Sequence, residues 1–111
     1  MSSIRNAAEL GNVGGVYGVT NGTAYGCGTL LTNASTGIVS LILPTNWPSG
    51  VAPSCASGQS TATGGNITTY AMSEQLSTSG VYACVDSTGV ATTTNTAITT
   101  TAHVNCSGAA L

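Results

Sequence analysis

Tyr70-Ala71-Met72-Ser73-Glu74-Gln75-Leu76, then Ser77-Thr78-Ser79-Gly80, then Val81-Tyr82-Ala83-Cys84-Val85-Asp86-Ser87-Thr88-Gly89, is the stretch whose reading decides the fold. Over residues 67–76, Tyr70, Met72 and Leu76 alternate with Thr69, Ala71, Ser73 and Gln75, the period-two pattern of a strand. Ser77-Thr78-Ser79-Gly80 has the length of a hairpin turn. Residues 81–85 resume the strand pattern. Asp86-Ser87-Thr88-Gly89 is a second turn, in which the Asp86 carboxylate is placed to accept bonds from backbone amides downstream. Together these predict a three-stranded antiparallel meander, with Glu74 on its solvent face and Asp86 shaping a turn.

Downstream, residues 90–103 are dominated by threonine, which sits well in strands and on exposed faces. A last strand is expected around residues 102–105, next to Cys106. Upstream, residues 44–65 carry all three prolines among Gly and Ser and are expected to be irregular, with Cys55 as a tie point. Ile38-Val39-Ser40-Leu41-Ile42-Leu43 is the most apolar run and must be buried or contact a partner. Ile38, Leu41 and Ile42 fit one helix face with Ser35 or Thr36 as cap, yet so short a run also fits a central strand. We favour a short helix. Trp47, the single Trp, reads as an anchor of its loop on the core.

Glycine recurs through residues 11–28 between Val13, Val16, Tyr17, Val19 and Tyr25. This reads as a winding loop with short extended pieces, pinned by its aromatics. Residues 3–10 form a short helix with Ile4, Ala7 and Ala8 on one stripe and Gly11 as its stop. So short a helix does not stand alone. It either packs on the domain or is the stump of a longer helix.

At 111 residues the chain has room for one core and one domain. Its charged residues are Arg5, Glu9, Glu74 and Asp86, so its surface is built from Thr, Ser, Asn, Gln and Gly. One arginine cannot make the cationic patch by which nucleic acid or anionic lipid is held, so direct nucleic-acid binding is not expected. A surface with so little charge offers little repulsion between copies, and self-association is a natural use for it.

Cys27, Cys55, Cys84 and Cys106 point to two bridges and an oxidising compartment. Zinc would want close Cys or His spacing, which is missing here. Spacing does not assign connectivity among three possibilities. The nearest-neighbour pairing, Cys27 with Cys55 and Cys84 with Cys106, is the one we adopt, each bridge worth about 3 kcal/mol if unstrained. Met1-Ser2-Ser3-Ile4-Arg5 runs on without the apolar core of an export signal. A targeting or membrane segment is therefore expected upstream.

Chemistry finds few candidates. His103 is the only base for a nucleophile and has no supporting motif such as G-x-S-x-G. A glycosidase pair would have to come from Glu9, Glu74 and Asp86. There is no Asp-rich calcium loop, and Gly11-Asn12-Val13-Gly14-Gly15 lacks the lysine of a phosphate loop. No cofactor or metal is expected, and the chain is not read as an enzyme. Asn21, Asn33, Asn66 and Asn105 head N-x-S/T sequons, a number not far above chance in a chain so rich in these residues.

Residues 70–76 with 81–89, and the string Cys84-Val85-Asp86-Ser87-Thr88-Gly89 above all, resemble the globular domain of type IV pilin-like proteins. The resemblance implies an α+β fold: the end of an N-terminal helix over residues 1–10, a winding αβ-loop region over 11–65, then a small antiparallel sheet of three to four strands and a disulfide-closed C-terminal region over 66–111. Cys84 and Cys106 would bracket that C-terminal region. The apolar membrane-spanning half of the helix lies outside this sequence, and membrane contact would come only through it.

The function so implied is that of a structural filament subunit at the cell surface, assembling with copies of itself or with other pilin subunits after an inner-membrane stage. A pseudopilin of a type II secretion apparatus is the near alternative. A surface adhesin module that grips sugar or protein with Trp47, Tyr17 and Tyr25 is a second class, and a small hydrolase using Glu74, Asp86 or His103 a third.

Overall fold

The computed structural model describes residues 2–47, 50–76 and 80–111. Helix α1, Ser2–Leu10, lays Ile4, Ala7 and Ala8 into the core, as their i, i+3, i+4 spacing requires. It ends where the Gly11 amide is shared between the Ala7 and Ala8 carbonyls, at 3.3 and 3.0 Å. Strand β1, Gly18–Asn21, follows. A 3-10 turn, Gly28–Leu30, is pressed against it so closely that a side chain at Gly28 would meet the Val19 carbonyl oxygen.

The apolar run after residue 37 is a one-turn helix, α2, Ile38–Leu41. Its cap differs from expectation. Gly37, at φ 77°, holds the N-cap position; Ser35 turns to Asn33, and the Thr36 hydroxyl reaches the Ile38 amide only at 3.4 Å. Ile38 is fully buried, whereas Val39 and Leu43 are 42% and 48% exposed, so the run is only half covered.

Strands β2, Ser54–Ser57, and β3, Thr63–Ile67, lie largely in the stretch expected to be irregular. Both are short, and β3 carries Gly64 and Gly65, so neither announces itself by pattern. Each exists because a partner strand pairs with it. Then come β4, Tyr70–Gln75, β5, Tyr82–Asp86, and β6, Ala91–Thr94. The expected β4–β5 turn at Ser77-Thr78-Ser79 lies outside the described residues; the Leu76 amide bonds the Val81 carbonyl at 2.9 Å.

All pairing is antiparallel. β1 and β3 form a two-stranded ribbon, and β2-β4-β5-β6 a four-stranded sheet. The architecture is thus a small α+β fold in which β2 extends the meander on its far side. Tyr70, Met72 and Val85 face α1, α2 and the winding loop, while Ala71 and Cys84 face the C-terminal tail with Ile98, Cys106 and Leu111. β4 is therefore covered on both faces.

Two expectations are corrected. Glu74, on the Tyr70–Met72 side by strand alternation, is buried at 2% exposure and does not face solvent. The tail makes no strand at residues 102–105; it forms a turn in which the His103 amide bonds the Thr99 carbonyl, followed by a single bridge between Val104 and Ala110. A tail lying across a sheet face rather than beside an edge has no ladder to join.

Candidate functional site

The carboxylates come first. Strand register places Ala71 opposite Asp86 and Glu74 opposite Ala83, so Glu74 and Asp86 project from opposite faces of the sheet. They share no cleft, and the pair needed for glycoside hydrolysis is not assembled from them. Glu9 accepts a 2.8 Å bond from the Tyr17 hydroxyl. His103 lies flat on Tyr25, ring centroids 3.7 Å apart and 4° from parallel. Among the described residues no group of three His, Cys, Asp or Glu side chains gathers as metal ligands would.

Asp86 is a structural hub. It is fully buried, and its Oδ1 accepts from the Thr88 amide at 2.9 Å, the Thr88 hydroxyl and the Val90 amide at 3.2 Å. Its Oδ2 accepts from the Cys106 amide at 3.0 Å. One carboxylate thus closes the β5–β6 turn and fastens the tail. The sequence pointed to the first task, since an aspartate opening a turn bonds amides two to four residues on. The second joins residues twenty apart and has no local signature.

Tyr17, Tyr25 and Trp47, the contact residues of the adhesin alternative, take separate partners. Tyr17 is buried, edge-on to Tyr70 with centroids 4.9 Å apart, so it is a core residue and not a surface contact. Burial, and then the Glu9 carboxylate, push its phenol above the usual tyrosine range. Tyr70 is raised further, by burial above all, and its hydroxyl has no hydrogen-bond partner among the described residues. Trp47 is half-buried against the core and donates from Nε1 to the Leu41 carbonyl at 2.9 Å. Tyr25 is likewise half-buried, paired with His103.

Backbone strain marks the same pair. Tyr25 at φ 59° and His103 at φ 37° are the non-glycine residues in the left-handed region among those described. The ring stack links the loop before the first bridge to the C-terminal tail. The bridges themselves join Cys27 to Cys55 and Cys84 to Cys106. The first ties the winding loop to β2; the second ties the tail to β5.

Two hollows remain. A groove of about 400 Å³ runs between the end of α1 and β1, lined by Val13, Val16, Tyr17, Val19 and Thr29. Val13 in its lining is 78% exposed, and Leu10, just before Gly11 of that lining, is 74% exposed. A second cavity of about 310 Å³ lies between the end of β6 and the tail. Apart from the buried Tyr17 phenol, neither is lined by an ionisable side chain, so both suit apolar contact better than catalysis. No protein-family model, curated protein or solved structure matches the chain.

Proposed function

We propose that this chain is the globular head of a type IV pilus-like filament subunit, which acts by assembling with copies of itself or with related subunits outside the cytoplasm. The observation that supports the reading is the order of parts: a short helix with its apolar stripe against the sheet, a winding loop, a meander bearing Cys-Val-Asp-Ser-Thr-Gly, and a tail bridged to that meander. In such a subunit the residues continuing α1 upstream supply an apolar filament core of about 20 residues, and the head forms the coat. No described helix is long and apolar enough to cross a membrane.

The chemistry of the head suits a coat. Its surface is nearly chargeless, so contacts between heads depend little on salt. Two bridges hold the loop and tail where no chaperone can rebuild them, and bridges persist in oxidising compartments. A pseudopilin uses the same parts and is the second reading. The test is to shear surface fibres from the producing cells and identify their subunits by mass spectrometry, with antibody against residues 1–111 for immunogold labelling. Labelled fibres containing the chain are expected. Fibres lacking it, with all of the chain recovered as free monomer, would sink the proposal.

A further inference from the structure

Among the described residues the outer edge of β6 is bare. The Asp86 amide bonds the Val90 carbonyl at 3.1 Å, and residues pair as Val85 with Ala91, Cys84 with Thr92, Ala83 with Thr93 and Tyr82 with Thr94. Antiparallel ladders alternate bonded and non-bonded pairs, so Ala91 and Thr93 direct their amides and carbonyls away from β5. Among the described residues those groups meet only a 3.5 Å contact from the Thr92 hydroxyl to the Thr93 carbonyl. Each of the other edge strands has at least one outward group engaged by the chain itself: the Ser57 amide bonds Tyr25, the Val19 amide bonds Thr29, and the Asn66 carbonyl accepts from Gln59.

Proteins blunt a free edge with a charge, a proline, a bulge or a covering segment. β6 reads Ala-Thr-Thr-Thr in unbroken register, with none of these among the described residues; only its length of 4 residues limits the edge. Beside its end lies the 310 Å³ cavity, lined by Thr94, Ala97, Ile98, Val104 and Cys106. By alternation Val90, Thr92 and Thr94 share the sheet face on which Cys84 and Ile98 pack. An apolar side chain thus stands two residues before Thr92 and an apolar cavity begins two residues after it. A two-fold axis at Thr92 would bring each onto the other.

We propose that β6 pairs antiparallel with β6 of a second copy of this chain about that axis, joining two four-stranded sheets into one. Ala91 and Thr93 would exchange backbone bonds with Thr93 and Ala91 of the second copy. Val90 of each would seat beside the Thr94–Ile98 cavity of the other. A second copy fits better than an unrelated strand because the edge is its own complement, and with so few charges nothing holds two copies apart. A two-fold contact closes on itself and cannot lengthen a fibre. The pairing therefore stands apart from the filament reading, and within it would join subunits side by side.

Sedimentation equilibrium of the 111-residue chain from about 10 µM to about 1 mM is the test, since so small an interface should give a Kd on the order of 0.1 mM. Reversible dimerisation is expected, with amide exchange at Ala91 and Thr93 slowing as concentration rises. Thr92→Lys sets like charges together at the axis and should weaken the dimer at least about tenfold, as should Thr92→Glu. An equimolar mixture of the two should restore it. Thr93→Pro removes an outward amide that the β5 ladder does not use and should abolish pairing with the melting curve little changed. Monomer at every concentration overturns the proposal, even if the edge binds an added peptide; so does a dimer that Thr92→Lys leaves intact.

Discussion

At the residue scale, Asp86 concentrates more consequence than any other side chain. Replacing it by Ala takes the acceptor from the Thr88, Val90 and Cys106 amides at a part-buried site. Unmet buried donors are costly, so Asp86→Ala should destabilise by about 2–4 kcal/mol in urea denaturation, and Asp86→Asn by less. A change under about 0.5 kcal/mol would show that the hub does not hold the turn and tail. The two core tyrosines should respond in opposite directions. Tyr70→Phe removes a hydroxyl without a partner among the described residues and should leave stability unchanged or raise it by up to about 1 kcal/mol. Tyr17→Phe loses the bond to Glu9 and should cost about 1 kcal/mol.

At the element scale, the question is what keeps an irregular tail on a sheet face. From Thr94 onward the tail makes no ladder, and it is held by the Cys84–Cys106 bridge, the Ile98 side chain, the Ser73 hydroxyl accepting from the Ile98 amide at 2.8 Å, and Asp86. Removing the bridge with Cys84→Ala and Cys106→Ala should cost about 2–4 kcal/mol. Hydrogen exchange should then rise over residues 98–111 well before it rises in β4. Equal acceleration across both would mean that tail and sheet open as one unit. The winding loop has a different arrangement: Tyr17 and Leu30 are buried in the other core, so reduction of Cys27–Cys55 should loosen β2 more than β1.

For the whole molecule, scarcity of charge makes alkaline pH the informative direction. Tyr17 and Tyr70 both hold their protons more tightly folded than unfolded. Below the ordinary tyrosine value of about 10 their contribution is complete. As pH rises past it, the unfolded chain releases protons that the folded chain keeps, and stability falls. The urea midpoint should therefore drop between about pH 9 and about pH 11, and Tyr70→Phe should flatten that drop. A midpoint level across this range would show that the phenols are not held neutral by the core.

What the sequence by itself determined is whatever repeats at short range. The Ile4-Ala7-Ala8 stripe, the β4–β5–β6 meander and the Asp86 turn are all written within a few residues, where dihedral preference and side-chain alternation act. The proposed likeness to pilin heads rests on the same local string. The tertiary structure alone decided the rest. β2 and β3 are strands because β4 and β1 pair with them, although Pro53, Gly64 and Gly65 argue locally against it. Glu74 is buried on the Tyr70–Met72 face, where alternation already puts it; that Ala71 and Ser73 on the opposite face are buried as well is what no alternation within β4 could reveal. The bare edge of β6 is likewise a property of where the tail goes: it crosses the Ala71–Cys84 face instead of running alongside β6, and so leaves the Ala91 and Thr93 amides open. Burial and pairing are set by what arrives from elsewhere in the chain, and a stretch read alone carries no record of it.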